Sequence, residues 1–301
     1  MSEIADPDRN LVVIQRNPVS GTGQTGRHLK RLIAELRELD YQVRLFASRQ
    51  RLDDFVAEPG QRDRLRCLVA AGGDGTLSSL VNRHPSLPIA TLPLGTENLV
   101  ARFLNIPRCG VTVARLVHDN CQHVFDTGLA GNHRFLIMVS AGIDAAVVRR
   151  MNAIRGGNIH RLSYVAPIWR CFMTYTFPEI LVTSADGQHS AKGTHVIAAN
   201  MPQYGFGLKF ATDADPSDGM LDIRVFQGTN RVQSALHGLK LRFSAHGGSH
   251  VVSFRSRSIR LTSPANGVAA QCDGDPIPPL PAEIQVDPGS MRLIVRRPDR
   301  A

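Results

Sequence analysis

The hydrophobic positions of the first 120 residues follow two different spacings. Short, nearly continuous apolar runs predict buried strands at residues 11–16, 42–46, 67–71 and 89–93. Residues 26–39 carry apolar side chains at helical spacing, which predicts an amphipathic helix with one apolar face: Leu29, Leu32, Ile33 and Leu36. Strands and helices in alternation indicate a parallel sheet wound with helices.

From about residue 121 the pattern changes to short runs of strand-forming residues separated by turn residues. These runs predict strands at residues 122–129, 134–139, 179–184, 194–200, 221–226, 250–254, 258–262 and 291–295. Helical patterns interrupt them at residues 144–154, 162–175 and 232–243. The spacing is typical of a mainly antiparallel β-sandwich.

The predicted fold class is therefore α/β, with an N-terminal α/β domain followed by a second, mainly antiparallel β-sandwich domain. We place the first domain at residues 1–120 and the second at 121–287. A C-terminal strand at about residues 288–301 could return to the first domain.

The charge of the chain favours anionic partners. The net charge is +9 and the pI is near 9.9, and almost all of the positive charge comes from arginine, since the 301 residues include only four lysines. The basic residues are scattered, so an arginine-rich composition alone explains them as well as a binding function does. Nucleic-acid binding is disfavoured, because no recognised motif is present and 6% of residues are aromatic.

Cysteine spacing and hydropathy point to a cytoplasmic protein. The five cysteines are never spaced as a CxxC pair, which argues against a disulfide framework or a zinc site. The N-terminus lacks the pattern of a signal peptide, and no apolar run approaches the ~20 residues that cross a bilayer. We therefore expect any contact with a membrane to be peripheral.

Glycine-containing loops follow three of the predicted strands. The first spans residues 17–23, the second is Gly72-Gly73-Asp74-Gly75-Thr76, and the third spans residues 95–98. Glycines let the backbone approach a ligand, and amides at the start of a helix attract phosphate. In parallel sheets such loops meet at one edge, so the set predicts a phosphate site, although each loop alone could be a simple turn.

Asp74 is harder to explain as a turn residue. It follows an apolar strand on a tight, glycine-rich backbone, where a carboxylate could hold Mg²⁺ or orient a hydroxyl nucleophile. The chain lacks the Gly-x-x-x-x-Gly-Lys pattern of P-loop proteins and a dinucleotide-binding glycine motif with its later acidic residue. Those two modes of nucleotide binding are disfavoured.

Two acidic clusters lie in the second half of the chain. Residues 213–222 include four aspartates, a composition that suits a hard cation but is equally typical of a solvated turn. Residues 272–275 read Cys-Asp-Gly-Asp, which could present a general base at a strand end or form a hairpin turn.

Aromatic residues cluster in the helical pattern at residues 162–177. Trp169, Phe172 and Tyr175 could line an acyl-chain cleft or touch a bilayer. A buried core helix is the interpretation we favour.

Taken in order, these motifs resemble the diacylglycerol kinase catalytic family, especially the bacterial soluble lipid kinases that are related to sphingosine kinases. The motifs that carry the resemblance are Asn17-Pro18 with Ser20-Gly21, Gly72 to Thr76, Pro93-Leu94-Gly95-Thr96 with Asn98, Ala141-Gly142-Ile143-Asp144, Asp218-Gly219-Met220-Leu221-Asp222 and Asp273-Gly274-Asp275. The resemblance implies an NAD kinase-like or phosphofructokinase-like α/β domain and a β-sandwich domain, with ATP between them.

The resemblance also implies roles for individual residues. ATP would contact Gly72, Gly73, Asp74, Gly75, Thr76 and Thr96, with further contacts from Asn17, Ser20, Gly21, Ser48 and Asn98. Asp215, Asp218 and the carbonyl of Met220 would hold a structural Mg²⁺. The catalytic residues would be Asp275, as the proton acceptor, and Asp74.

The expected activity is phosphorylation of a hydroxyl group on a diacylglycerol-like or sphingoid-like lipid at a membrane surface. The sequence leaves the oligomeric state open, with a homodimer as one alternative. Two departures from the family pattern bear on this activity: Glu97-Asn98-Leu99 lacks the usual aspartate, and Asp275 stands where the family has glutamate. An NAD kinase and a catalytically silent lipid-binding protein are the alternatives.

Overall fold

The N-terminal strands form a parallel sheet in the predicted order. The computed structural model describes residues 9–18, 25–154, 165–203, 213–228 and 250–297. It contains the strands β1 (Leu11–Arg16), β2 (Gln42–Phe46), β3 (Leu65–Gly72) and β4 (Ile89–Pro93). They lie in the order β2–β1–β3–β4, and all three pairs are parallel. The carboxyl ends of the four strands therefore share one edge.

Helices connect and cover these strands. They are α1 (Thr25–Glu38), α2 (Arg49–Ala57), α3 (Gln61–Arg64), α4 (Asp74–Arg83), α5 (Leu99–Phe103) and α6 (Gly110–Asp119). Leu29, Leu32 and Leu36 of α1 are buried, which confirms the predicted apolar face. A Cβ at Gly110 would lie 2.2 Å from the backbone oxygen of His28, so glycine allows α6 to pack closely on α1.

The chain divides into two units, residues 1–125 with 289–301 and residues 126–288. Two strands, β5 (Gln122–Ala130) and β16 (Ala282–Ile294), run from one unit into the other. Near its end β16 pairs in parallel with β4, through Leu293 and Ile89, within the first unit.

The second unit is built from antiparallel strands and two helices. The strands are β6 (His133–Phe135), β7 (Met138–Ala141), β8 (Ile180–Ser184), β9 (Ser190–Gly193), β10 (His195–Ala199), β11 (Leu221–Phe226), β12 (Val251–Ser256), β13 (Ser258–Thr262), β14 (Ala270–Cys272) and β15 (Asp275–Ile277). The helices are α7 (Ile143–Ile154) and α8 (Val165–Thr174). One sheet has the order β12–β11–β10–β7–β14–β15, and a second pairs β13 with β8 and β16.

Both sheets of the second unit contribute to one apolar core. Ile223 from the first sheet and Ile284 from the second are fully buried in the same cluster, together with Phe135. Alternating strands that bury one face against another sheet are the expected outcome of the short-run pattern. The predicted fold class is confirmed.

The strand predicted at residues 134–139 is wrong, because the chain breaks there into β6 and β7. The carboxylate of Asp273 accepts hydrogen bonds from the backbone N–H groups of Leu136, Ile137 and Met138 at 2.6, 2.9 and 3.0 Å. These amides bond to a side chain more than 130 residues away instead of to a neighbouring strand. A local pattern could not reveal the interruption.

Other sequence predictions differ from the structure in extent or in burial. The strand predicted at residues 291–295 is the end of the longer β16, and the three-residue strands β14 and β15 are too short to produce a pattern. Trp169 is 64% exposed, so the interpretation of its helix as buried core is wrong for this residue. The helix predicted at residues 232–243 lies outside the described residues.

Candidate functional site

The ends of β1, β3 and β4 lie side by side at the carboxyl edge of the parallel sheet. In register, Arg16 at the end of β1 lies opposite Ala71, and Gly72 at the end of β3 lies opposite Pro93 at the end of β4. The N–H of Asn17 donates to the Ala71 carbonyl at 3.2 Å. The structure thus brings Asn17 next to the second loop, as predicted, whereas Ser20 and Gly21 lie outside the described residues.

Ser48 lies at the same edge, just beyond β2. Its hydroxyl accepts a hydrogen bond from the N–H of Arg51 at 3.3 Å and so caps the start of α2. This is the ordinary role of a serine at a helix N-terminus. The structure gives Ser48 a structural task in addition to its predicted contact with ATP.

The second and third loops touch through glycines. The carbonyl of Gly72 accepts hydrogen bonds from the N–H groups of Leu94 at 2.8 Å and Gly95 at 3.2 Å. A Cβ at Gly95 would lie 2.5 Å from the Cα of Gly73, closer than any side chain tolerates. Glycine is therefore required for these backbones to approach each other.

Asp74 links the second loop to the end of the third loop through hydrogen bonds. Its carboxylate oxygens accept hydrogen bonds from the N–H groups of Leu99 at 2.9 Å and Val100 at 3.1 Å, in the first turn of α5. Burial raises the pKa of Asp74 above its usual value, and these amide hydrogen bonds oppose the shift. Both oxygens are thus engaged, and Asp74 positions the third loop.

Asn98 and Arg108 fix the shape of the third loop. Asn98 has left-handed backbone geometry (φ 50°), and its side chain accepts from the Gly95 N–H at 2.9 Å and donates to the Gly95 carbonyl at 2.8 Å. The Arg108 guanidinium donates to the carbonyls of Pro93 and Gly95 at 2.8 and 2.6 Å. Sequence reasoning missed Arg108, because no motif surrounds it.

The start of α4 has no side-chain cap. Gly73, at the N-cap position, has no side chain to satisfy the first amides of this ten-residue helix. Thr76 is buried, and its hydroxyl has no hydrogen-bond partner among the described residues. Thr96 is exposed at the tip of the third loop. Helix N-termini with such free donors commonly bind phosphate.

In the second unit, the Cys-Asp-Gly-Asp motif forms a hairpin turn between β14 and β15. Cys272 pairs with Asp275, and the two turn residues Asp273 and Gly274 have positive φ values of 49° and 90°. Such geometry is typical of two-residue hairpins. The turn leaves the side chain of Asp275 exposed at the first position of β15.

A buried polar network holds this hairpin. The Gln271 amide donates to the hydroxyl of Ser140 at 2.7 Å, and its oxygen accepts from the Gly274 N–H at 2.7 Å. Ser140 in turn donates to Asp144 at 2.5 Å, and Asp144 lies 3.0 Å from the Nε2 atom of His195. The motif Ala141 to Asp144 therefore supports the turn that presents Asp275.

The acidic turn at residues 213–222 does not present a vacant set of metal ligands. Asp215 accepts from the Ser217 N–H at 3.0 Å, and Asp218 accepts from the Met220 N–H at 2.9 Å. The second oxygen of Asp218 forms an ion pair with Arg255. Within the described residues, no group of three or more His, Cys, Asp or Glu side chains could hold a metal. Both carboxylate oxygens of Asp218 are engaged in this geometry, and the predicted Mg²⁺ site stays a prediction.

Models of known protein families match residues of both units. The diacylglycerol kinase catalytic domain model matches residues 10–130. The YegS C-terminal NAD kinase beta sandwich-like domain model matches residues 137–295, more than half of the chain.

The chain belongs to the diacylglycerol kinase catalytic-domain family.

Individual members of the family resemble this chain at low identity. A Mycobacterium tuberculosis diacylglycerol kinase is 27% identical over 240 residues, which cover 75% of this chain and 76% of that protein. A Staphylococcus aureus diacylglycerol kinase is 28% identical over 156 residues, which cover 50% of this chain and 45% of that protein. The sequence prediction of this family is confirmed.

Two solved structures share the fold. The crystal structure of a Bacillus anthracis diacylglycerol kinase superposes with a TM-score of 0.70 at 18% identity, covering 96% of this chain and 97% of that one. Yeast NADH kinase complexed with NADH gives a TM-score of 0.52 at 12% identity, covering 95% and 83%. At these identities the likeness concerns the fold alone.

The contact between the loops predicts opposite effects of two glycine substitutions. Gly95→Ala should lower the free energy of unfolding by about 1–3 kcal/mol, because the added methyl meets the backbone of Gly73. Gly75→Ala should raise the free energy of unfolding by less than ~1 kcal/mol, because no atom lies within 4 Å of the added Cβ and alanine favours a helix over glycine. Urea denaturation without nucleotide measures both, and equal effects would contradict the contact.

Proposed function

We propose that the protein is a lipid kinase that transfers the γ-phosphate of MgATP to the hydroxyl of a diacylglycerol-like or sphingoid-like lipid. Family membership supports a lipid kinase, and the approach of the second and third loops at the ends of β3 and β4 is the observation that carries the proposal. The backbone amides there, with the uncapped start of α4, suit the phosphates of a nucleotide.

In the proposed reaction the lipid hydroxyl attacks the γ-phosphorus, the bond to the bridging oxygen of ADP breaks, and the hydroxyl proton passes to a carboxylate. Asp275 is the proposed acceptor, since its side chain is exposed at the end of a hairpin fixed by Asp273 and Gln271. Thr96 and Asn17 contact the nucleotide. Asp74 acts by positioning the third loop around the phosphates.

In this proposal Mg²⁺ binds together with the nucleotide and would neutralise the charge of its phosphate groups. A structural Mg²⁺ at Asp215, Asp218 and Met220 stays a prediction, because the two carboxylates bind backbone amides and Arg255. Asp126 also supports this turn, since it accepts from the Gly219 N–H at 2.8 Å. We assign no catalytic step to a cation there.

Replacing the proposed proton acceptor should separate catalysis from binding. Asp275→Asn should slow lipid phosphorylation by about 10²–10⁴-fold, because the amide cannot accept the proton. Its affinity for ATP should be unchanged. Incubation with labelled ATP and a total lipid extract measures transfer, and calorimetry measures ATP binding. Glu283→Gln, an exposed acid on β16, is the matched control and should keep full activity.

The same assay tests the alternatives. A parallel incubation with NAD in place of lipid detects an NAD kinase, which the shared fold of yeast NADH kinase keeps open. Label in NADP would overturn the choice of substrate. ATP and lipid binding without transfer of label would identify a catalytically silent relative, and wild-type turnover in Asp275→Asn would remove Asp275 from the mechanism.

Peripheral contact with an anionic membrane is the proposed route to the lipid. Trp169 and Met173 are 64% and 46% exposed one turn apart on α8, with the exposed Arg170 beside them. Tryptophan and arginine on a helix surface suit the boundary between headgroups and acyl chains. None of the helices in the described ranges has the length and hydropathy needed to cross a membrane.

Trp169→Ala should weaken binding to vesicles of phosphatidylcholine and phosphatidylglycerol by about tenfold or more, because a buried Trp contributes at least ~1.5 kcal/mol. Vesicle co-sedimentation measures the loss. Leu45→Ala removes a comparably exposed apolar side chain from β2 and should leave binding unchanged. Equal binding by wild type and Trp169→Ala would contradict a contact through α8.

A further inference from the structure

A cavity of about 500 Å³ lies in the second unit. It is enclosed by α7, by the end of α8 and by the segment 265–269. Its volume is typical of small-ligand sites. Neither the phosphate-binding loops nor the Asp275 hairpin contributes a residue to its lining.

The charged groups among the described lining residues of this cavity are all positive. Arg149 and Arg150, consecutive on α7, both line it, and the described lining residues include no Asp or Glu. Arg149 donates to the carbonyl of Gly267 at 3.3 Å, which holds its guanidinium at the rim. Arg150 forms no ion pair or hydrogen bond within the part of the chain that the structure describes. Two guanidinium groups without a carboxylate favour an anionic occupant.

Tyr175 also lines this cavity. Its hydroxyl is buried and has no hydrogen-bond partner among the described residues. Burial, and after it the charge of Asp144, raises the pKa of Tyr175, so the phenol stays protonated and can donate. A buried donor without an acceptor is unfavourable, and an anion would satisfy it.

The neighbouring acid, Asp144, belongs to a polar network of its own. Asp144 is bonded to the Ser140 hydroxyl and to the Ala145 N–H, and it lies 3.0 Å from His195. Its carboxylate is therefore stabilised within its own network.

We propose that Arg149, Arg150 and Tyr175 form a second anion site that binds a phosphate group, either as free phosphate or as the headgroup of a phosphorylated lipid. The arginines supply charge-assisted hydrogen bonds, and the phenol donates a third. The cavity is larger than inorganic phosphate, so a phosphomonoester with a substituent also fits. The site does not depend on the proposed kinase activity, because binding alone defines it.

Calorimetric titration of the full chain, with its nucleotide loops saturated by a non-hydrolysable ATP analogue, tests the proposal. Inorganic phosphate and the soluble dihexanoyl phosphatidate are the two titrants. At least one should bind saturably to the wild type. Arg149→Gln with Arg150→Gln should abolish that binding, whereas Arg260→Gln, an exposed arginine of β13 outside the cavity, should not.

Tyr175→Phe separates a ligand contact from a structural role. It should weaken anion binding about tenfold, since a hydrogen bond to a charged group is lost. It should not lower the melting temperature of the anion-free protein, because the hydroxyl it removes has no hydrogen-bond partner among the residues that the structure describes.

The pattern of binding decides the source of the anion. Binding of phosphate, or of both titrants, supports a site for the phosphate group itself, and binding of phosphatidate alone supports a lipid headgroup. Heats that persist in the double arginine variant, or no saturable heat from either titrant, would overturn the proposal. Neither outcome bears on lipid phosphorylation, which is measured separately.

Discussion

The candidate site depends on one close contact, between the backbones of Gly73 and Gly95. Strands β3 and β4 are adjacent and parallel, so their loops must leave the sheet side by side. Glycine at position 95 lets them do so, since a Cβ there would lie 2.5 Å from the Cα of Gly73. The carboxylate of Asp74 then ties α5 to the start of α4, which brings two helix N-termini close together.

This arrangement explains why Asp74 is partly buried despite the cost of desolvating a carboxylate. The hydrogen bonds from Leu99 and Val100 offset part of that cost, and the remaining shift leaves the pKa raised. In the second unit Asp273 has a similar structural task, since it accepts three backbone amides and fixes the turn that exposes Asp275. In both units, one aspartate of the motif shapes the backbone by accepting amide hydrogen bonds.

Much of the first unit could be predicted from sequence, because buried parallel strands and an amphipathic helix leave strong local patterns. The strands at residues 11–16, 42–46 and 89–93 have the predicted bounds. The partners of Asp74, Arg108 and Asp273 could not be predicted, since each reaches residues distant in sequence. The exposure of Trp169 also depends on tertiary packing, because a half-apolar helix has the same sequence pattern whether it lies in a core or at a surface.

Hydrogen–deuterium exchange of the backbone amides, with and without MgATP, tests the central claim most directly. If the loops at the ends of β3 and β4 hold the phosphates, the nucleotide should slow exchange in peptides covering residues 72–76 and 95–100 together. Unchanged exchange in both loops, with slowing elsewhere in the chain, would show that the nucleotide binds at another place and would contradict the account.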